Sequence, residues 1–305
     1  MRRTLMLLAL ATLLAAPQWS LAQPGRVHSA LAQRLRARMQ EQASAHIVAL
    51  PSGARRIANL AYGADPAQRL DVYVPARPDG RVILMVHGGG WANGDKALPS
   101  VVDNKVAHWV AAGTIFISID YRMLPGTDPL HQADDVADAL AWSQRHARDW
   151  GGDPGDFVLM GHSAGAHLAA LVAADPLAAH ARGVRPWRGT VALDSAALDV
   201  EEIMSNPHLP LYDAAFGADP GYWRAASPYA RLTHAVAPML LVCSSQRVES
   251  CANARRFADR AHGLHDPAQL LPEPLSHREI NDTLGLPSDY TRAVDAFIAS
   301  LPARR

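Results

Sequence analysis

The chain has 305 residues, of which 49% are hydrophobic, so it is long and apolar enough to bury a large core. Its 29 Lys and Arg residues balance its 29 Asp and Glu residues, and these charges are scattered along the chain without a basic run. The composition therefore argues against a nucleic-acid-binding surface, and we expect no nucleic-acid partner.

The N-terminus has the pattern of a secretory signal peptide. Arg2 and Arg3 precede an apolar run over residues 5–16, and Ser20 and Ala22 occupy the −3 and −1 positions of a small-x-small cleavage site. This pattern predicts a leader over residues 1–22, which is too short to span a membrane. The alternative is an uncleaved anchor. We expect an exported protein, periplasmic or secreted, with no stable membrane insertion.

The remaining chain alternates between helical and strand patterns. An amphipathic helix is predicted at 26–45, within an N-terminal extension over residues 23–55, and a strand at 69–75 ends at Pro75. Runs that lack polar alternation predict buried strands at 81–86, 114–119, 157–160, 190–193 and 239–242. Helical patterns lie at 101–113, 131–150, 255–263 and 288–301. Buried strands separated by helices indicate an α/β fold with a parallel sheet covered by helices.

Residues 200–235 interrupt this alternation because they are rich in Pro, Gly and aromatic residues. We interpret them as a small cap over the sheet, within one domain that spans residues 56–305. A substrate pocket is expected beneath this cap. The aromatic residues that either line the pocket or pack in the core are Trp91, Phe216, Tyr222 and Trp223.

One motif places a hydroxyl between two glycines. The sequence GHSAG at 161–165 fits G-x-S-x-G, with a predicted buried strand before it and a helical segment after it. That context is typical of a nucleophile elbow, in which a sharp turn exposes the serine at the carboxyl edge of the sheet. Gly161 and Gly165 would keep side-chain atoms out of the crowded turn around Ser163.

A second motif, HGGGW at 87–91, follows the strand predicted at 81–86. Consecutive glycines expose backbone N–H groups that can stabilise the oxyanion of an acyl-transfer intermediate. The expected donors are Gly89 and Gly90, together with Ala164, the residue after the nucleophile. His87 precedes the nucleophile in chain order, and we expect it to hold the glycine loop by local hydrogen bonds rather than to act as the base.

With both motifs, the chain resembles the α/β-hydrolase fold, and more narrowly its HGGG-bearing branch of hormone-sensitive-lipase-like and feruloyl-esterase-like carboxylesterases. The resemblance extends over about residues 56 to 301 and includes SIDYRMLP at 118–125 and WRAASPYARL at 223–232. It implies a central sheet that is mostly parallel and a triad in the chain order Ser, acid, His.

His277 is the expected base because the segment 269–282 begins as an extended run and then places Ser276 and His277 in a loop before the final helix. The acid departs from the family pattern. Relatives commonly place an Asp shortly after the strand that corresponds to PMLLVC, but this loop reads SSQRVESC, with Arg247 at the usual position. Glu249 is the one carboxylate in the loop and is the expected acid. The rival is Asp199, whose alternative role is to cap a helix.

The two cysteines, Cys243 and Cys251, flank this loop. An oxidising compartment would allow them to form a disulfide, and the alternative is two free thiols. A bridge would enclose residues 244–250 and would hold the acid loop in place.

The expected function is that of a serine carboxylesterase acting on a small-molecule ester with short or aromatic acyl groups. Two alternatives remain: an amide hydrolase, such as an arylformamidase-like enzyme or a peptidase, and a binding protein on a hydrolase scaffold. Formamidase-type relatives usually carry an aromatic residue where this chain has Gly90. The sequence shows no metal-ligand spacing and no dinucleotide fingerprint, so no cofactor is expected. Oligomeric state is not predicted.

Overall fold

Eight strands form one sheet in the computed structural model, which describes residues 34, 37, 38, 41, 45–265 and 268–302. The strands are β1 Arg55–Ala61, β2 Arg69–Val74, β3 Val82–Val86, β4 Ile115–Ile119, β5 Phe157–His162, β6 Gly189–Leu193, β7 Met239–Ser244 and β8 Ala268–Glu273. Their order across the sheet is β1-β2-β4-β3-β5-β6-β7-β8. Pairing is antiparallel from β1 to β4 and parallel from β4 to β8.

Helices connect the strands and cover the sheet. In the described residues the α-helices are α1 Pro99–Lys105, α2 Pro129–His146, α3 Ala164–Ala174, α4 Pro176–Ala181, α5 Val200–Met204, α6 Pro210–Phe216, α7 Pro220–Ala225, α8 Pro228–Arg231, α9 Val248–Gly263, α10 His277–Asp282 and α11 Asp289–Ser300. A π-helical turn, Val106–Val110, extends α1, and a 3₁₀ turn, Ala147–Trp150, extends α2. The segment interpreted as a cap, residues 200–235, forms the four short helices α5 to α8 between β6 and β7.

The apolar strands are buried because helices pack on both faces of the sheet. In β3, Val82, Leu84 and Val86 belong to one core cluster, while Ile83 and Met85 belong to another on the opposite face. All five side chains are fully buried. This arrangement explains why the strand sequence has no polar alternation.

All six predicted strands are confirmed, and each matches an observed strand within two residues at either end. The helix predicted at 26–45 lies mostly outside the described residues; those of its positions that are described, 34, 37, 38, 41 and 45, are helical. The predicted leader, residues 1–22, also lies outside them. Among the residues that the structure describes, none of the helices combines the length with the hydropathy that a membrane span needs.

The sheet brings the sequence motifs together. The parallel strands β3, β5, β6 and β7 are neighbours, and Gly161 near the end of β5 is in register with Val86 and with Ala192. The glycine loop follows β3 and the serine motif ends β5, so both reach the same carboxyl edge of the sheet. The loops after β6 and β7 reach that edge as well.

Candidate active site

Ser163 lies at a sharp turn between β5 and α3. Its backbone angles are φ 56° and ψ −118°, in a region that non-glycine residues rarely adopt. A Cβ atom on Gly161 would lie 2.2 Å from the carbonyl oxygen of Gly165, and one on Gly165 would lie 2.3 Å from that of Val86. Both glycines are therefore needed for β5, α3 and the end of β3 to meet at this turn.

The structure brings Ser163 and His277 together. The Oγ atom of Ser163 lies 2.9 Å from Nε2 of His277, although the two residues are 114 positions apart. His277 is the first residue of α10 and does not lie in a loop as the sequence suggested. Ser276 caps this helix by accepting a hydrogen bond from the Glu279 N–H, and the Glu279 carboxylate accepts one from the Ser276 N–H. This capping box fixes the start of α10 and hence the position of the imidazole.

The other imidazole nitrogen faces Asp194, a residue that the sequence analysis did not select. Oδ2 of Asp194 lies 2.6 Å from Nδ1 of His277 and 2.8 Å from Nη1 of Arg247. Oδ1 accepts hydrogen bonds from the Ser244 N–H at 2.7 Å and from the Ser250 hydroxyl at 2.5 Å. Burial raises the pKa of Asp194, but these hydrogen bonds and the Arg247 charge outweigh it and hold the pKa well below its usual range. Asp194 is therefore a carboxylate at neutral pH.

The expectation that Glu249 pairs with His277 is corrected by the structure. The Glu249 side chain is 61% exposed, and its carboxylate lies 3.4 Å from Nε of Arg247. It is placed in the first turn of α9, whereas the carboxylate that reaches the imidazole comes from the end of β6.

The rival Asp199 is also not at the imidazole. Its carboxylate accepts a hydrogen bond from the Glu202 N–H at 3.2 Å, which caps α5, and pairs with Arg256 at 2.8 Å. The helix-capping alternative describes this residue correctly.

The three expected oxyanion donors share one cavity with Ser163 and His277. Among the described residues, the backbone N–H groups of Gly89, Gly90 and Ala164 donate no hydrogen bond. Because a backbone donor at a buried or half-buried position normally has a partner, three free donors beside one hydroxyl are suited to bind an oxygen of a ligand.

Two further histidines support this arrangement. Nδ1 of His87 lies 2.7 Å from the carbonyl oxygen of Gly88, and the His87 ring stacks on Tyr121 at 4.5 Å. His162 lies under His277, with 4.6 Å between ring centres, and its Nε2 lies 2.9 Å from the His277 carbonyl oxygen. Burial lowers the pKa of His162 to about 3, so its ring is neutral beside the imidazole of His277.

The loop between β7 and α9 is closed by a disulfide between Cys243 and Cys251, as expected. Residues 244–250 within this loop supply three of the donors to Asp194, namely the Ser244 N–H, Arg247 and Ser250. The bridge therefore encloses the groups that hold Asp194, whereas the sequence had led us to expect the acid itself inside the loop.

Reduction of this disulfide is expected to lower both turnover and stability. Closing a loop this short contributes about 2.5 kcal/mol by the chain-entropy model, so the melting temperature should fall by several degrees. Loosening residues 244–250 would also displace the donors to Asp194 and lower kcat. Thermal melts and ester assays with and without reductant measure both effects. The double variant Cys243→Ala, Cys251→Ala should be insensitive to reductant, and unchanged kcat and melting temperature after complete reduction would contradict the prediction.

A buried lysine attaches α10, which carries His277, to α1. Nζ of Lys105 lies 3.0 Å from the carbonyl oxygen of Ser100 and 2.7 Å from that of Asn281, and the side chain is almost fully buried. Burial lowers the pKa of Lys105 to about 7, against the opposing charges of Asp282 and Asp103.

This lysine predicts that stability rises with pH above neutrality. The folded pKa of about 7 is below the ordinary value of 10.5, so between these two values the unfolded chain binds more protons than the folded one. The unfolding free energy should therefore increase by about 2 kcal/mol between about pH 7 and pH 9. Urea unfolding across this range measures the slope. Lys105→Met should flatten it, and a variant slope equal to that of the wild type would contradict the assignment.

The cavity that contains Ser163 has a volume of about 720 Å³, within the range of small-molecule sites. The larger apolar side chains that line it are Trp91, Leu98, Val101, Leu209, Leu211 and Tyr212. Of the aromatic residues selected from the sequence, only Trp91 lines it. Phe216 is buried and packs on Trp91 at 5.0 Å between ring centres. Tyr222 and Trp223 hydrogen-bond elsewhere, to Asp128 and to the Gly217 carbonyl.

The chain is similar to known esterases in sequence and in fold. The BD-FAE family model matches residues 70–181, a segment that includes the glycine loop and the serine turn. Esterase LipQ of Mycobacterium tuberculosis is 31% identical over 289 residues, which cover 81% of this chain and 66% of LipQ. The chain is an α/β-hydrolase of the hormone-sensitive-lipase-like esterase branch.

Two further proteins that are similar to this α/β-hydrolase are named as esterases. A probable isoprenylcysteine alpha-carbonyl methylesterase of Oryza sativa subsp. japonica is 35% identical over 127 residues, which cover 41% of this chain and 30% of that protein. Among solved structures, esterase B from Lactobacillus rhamnosis has a TM-score of 0.69 at 20% identity, covering 90% of this chain and 93% of that one. The hydrolase spans from under a third to about two thirds of the length of these curated relatives.

Proposed function

We propose that this α/β-hydrolase is a serine carboxylesterase in which Ser163, His277 and Asp194 form the triad. The observation that carries the proposal is the continuous line of contacts from Ser163 Oγ through the imidazole to a buried carboxylate, at 2.9 Å and 2.6 Å. The esterase names of its curated relatives support the same reaction.

The roles of these residues follow from the positions of their protons. Nδ1 of His277 donates to the Asp194 carboxylate, so Nε2 is free to accept the Ser163 proton. Ser163 then attacks the ester carbonyl and forms an acyl-enzyme, and the imidazolium returns the proton to the leaving alcohol. Water attacks the acyl-enzyme with His277 again as base, and the free acid leaves.

The oxygen of the tetrahedral intermediate is held by the backbone N–H groups of Gly89, Gly90 and Ala164. All three lie in the same cavity as Ser163 and have no partner among the described residues. Such donors stabilise charge that appears only in the transition state, so they lower the barrier rather than tighten substrate binding.

The substrate class in this proposal is a small ester with a short or aromatic acyl group. The cavity of about 720 Å³ is lined by Trp91 and Tyr212 and by leucines of the short helix α6 and the segment just before it. This volume suits a compact ligand rather than a long lipid chain. The same proposal places the mature protein in an exported fraction, because the predicted leader at 1–22 and the disulfide both fit an oxidising compartment.

An active-site serine probe tests the enzyme assignment. A fluorophosphonate should label the wild type and should fail to label Ser163→Ala, while both proteins keep the same melting temperature. Paired p-nitrophenyl ester and anilide assays then separate esterase from amidase, and C2–C4 esters should be hydrolysed faster than C12–C16 esters. Absence of labelling in the wild type would favour a binding protein on the same scaffold.

Export is tested separately. N-terminal sequencing of the protein recovered from a periplasmic or culture fraction should begin at Gln23. A chain that retains residues 1–22 and sediments with membranes would support the uncleaved anchor.

A further inference from the structure

Arg247 lies in the loop between β7 and α9, where the family resemblance led us to expect the triad acid, and its contacts indicate a role of its own. Nη1 of Arg247 lies 2.8 Å from Oδ2 of Asp194 and 2.8 Å from Nδ1 of His277. A guanidinium has donors only, so it cannot replace the acid. It can, however, hold Asp194, which directly follows the neighbouring strand β6.

The position of the His277 proton determines whether the Arg247 N–H donates to Asp194 or to His277. When Nδ1 of His277 carries its proton and donates it to Asp194, it cannot accept from Arg247. The Arg247 N–H therefore donates to the same oxygen, Oδ2, that accepts from the imidazole. Both oxygens of the Asp194 carboxylate therefore accept two hydrogen bonds each. Oδ2 accepts from His277 and Arg247, and Oδ1 accepts from the Ser244 N–H and the Ser250 hydroxyl. This set of four donors fixes the rotation of the carboxylate about its own axis.

The charge of Arg247 also has a consequence for the state of the site. The Asp194 side chain is fully buried and that of Arg247 is 25% exposed, so their attraction is screened less than that of a surface pair. If the carboxylate were absent, the Arg247 N–H would instead donate to Nδ1 of His277. The imidazole would then carry its proton on Nε2, where it could not accept the proton of Ser163.

We propose that Arg247 is a positioning residue that holds Asp194 against His277 and acts on catalysis through that carboxylate. This inference rests on the proposed function, because it presumes that Ser163 is the nucleophile. Arg247 also lines the cavity, so the competing explanation is direct contact with substrate. A positioning role predicts that loss of Arg247 lowers kcat and does so only when Asp194 is present. Direct contact with substrate predicts a raised KM.

The first measurement compares Arg247→Met with the wild type. Loss of one hydrogen bond to a charged group should lower kcat by about 10- to 100-fold, with KM changed little. Arg247→Lys keeps the charge and should retain more of the activity than Arg247→Met. Arg256→Met is the matched control, because Arg256 lies on α9, the helix that begins directly after Arg247, pairs with Asp199 at 2.8 Å and does not line the cavity. Its kcat should match the wild type.

The second measurement is a double-mutant cycle. In an Asp194→Ala background, Arg247→Met should leave kcat unchanged or raise it. The reason is that without the carboxylate Arg247 stabilises the His277 tautomer that carries its proton on Nε2. Where Asp194→Ala does not fold, as judged by its melting curve, Asp194→Asn serves as the background. An equal loss in both backgrounds, or a raised KM with unchanged kcat in Arg247→Met, would overturn the proposal. Failure of the proposed function gives a different result, namely a wild type that no serine probe labels.

Discussion

Asp194→Asn is expected to lower kcat by about 10³- to 10⁴-fold, the size of effect seen when the acid of a Ser-His-Asp triad becomes an amide. The reason is the tautomer of His277. An asparagine presents an N–H as well as a carbonyl oxygen, so it can donate to Nδ1, and Arg247 at 2.8 Å can do the same. Either donor leaves the proton on Nε2, which then cannot accept from Ser163.

Glu249→Gln is the matched control for this substitution, because it makes the same change of carboxylate to amide nearby, in the first turn of α9. The Glu249 side chain is 61% exposed and contacts Arg247 rather than His277. An exposed pair of this kind contributes little, so kcat should stay within a few-fold of the wild type. Steady-state kinetics on a short p-nitrophenyl ester, with melting temperatures for both variants, make the comparison. A large loss in Glu249→Gln and a small one in Asp194→Asn would reverse the assignment.

The residues that the sequence identified share a local signature. Ser163 lies in a five-residue motif, and the glycine loop is continuous in the chain, so their roles follow from short-range turn geometry. His277 could be placed because the base follows the last strand pattern. Five of the six predicted strands were also recognised from local sequence, since each is an apolar run that is buried on both faces of the sheet.

Asp194 could not be chosen in the same way, because its role depends on strand order. The sequence TVALDS places an Asp directly after a buried strand, but many strands end with a polar residue. What distinguishes this one is that β6 lies between β5, which carries Ser163, and β7, which leads to Arg247. The available signal was Arg247 itself, because a cation where the acid was expected indicates that a carboxylate from another part of the chain lies beside it.

Strand β1 was not predicted from the sequence, for a different reason. It lies at the edge of the sheet and pairs with β2 alone, so its residues are exposed or half-buried and give no apolar run. Strand β8 forms the other edge, pairs with β7 alone and contains Pro272, which a central strand would not accommodate. Edge strands therefore carry a weaker pattern than central strands.

Gly89→Ala is expected to have the second large effect, through the oxyanion donors. Gly89 has φ +125°, and a Cβ atom there would lie 1.9 Å from the carbonyl oxygen of Asn93. The Gly89 carbonyl also accepts hydrogen bonds from the N–H groups of Asn93 at 3.0 Å and Ala92 at 3.3 Å. A methyl group would force this turn apart and would move the Gly89 N–H away from Ser163. Loss of one donor costs about 10²- to 10³-fold in kcat.

Gly90→Ala is the control that distinguishes the steric clash at Gly89 from the strain of a positive φ angle. Gly90 also has a positive φ, +62°, but a Cβ atom there would meet no atom within 4 Å. An alanine there must adopt a left-handed backbone, which should lower the free energy of unfolding by about 1–2 kcal/mol. The Gly90 N–H should stay in place. The kcat of Gly90→Ala should therefore stay within about ten-fold of the wild type. Equal losses in the two variants would assign the effect to the backbone angle, whereas an unaffected Gly89→Ala would remove Gly89 from the oxyanion donors. The expected difference between two adjacent glycines arises because only one of them is packed against the turn that orients its own amide.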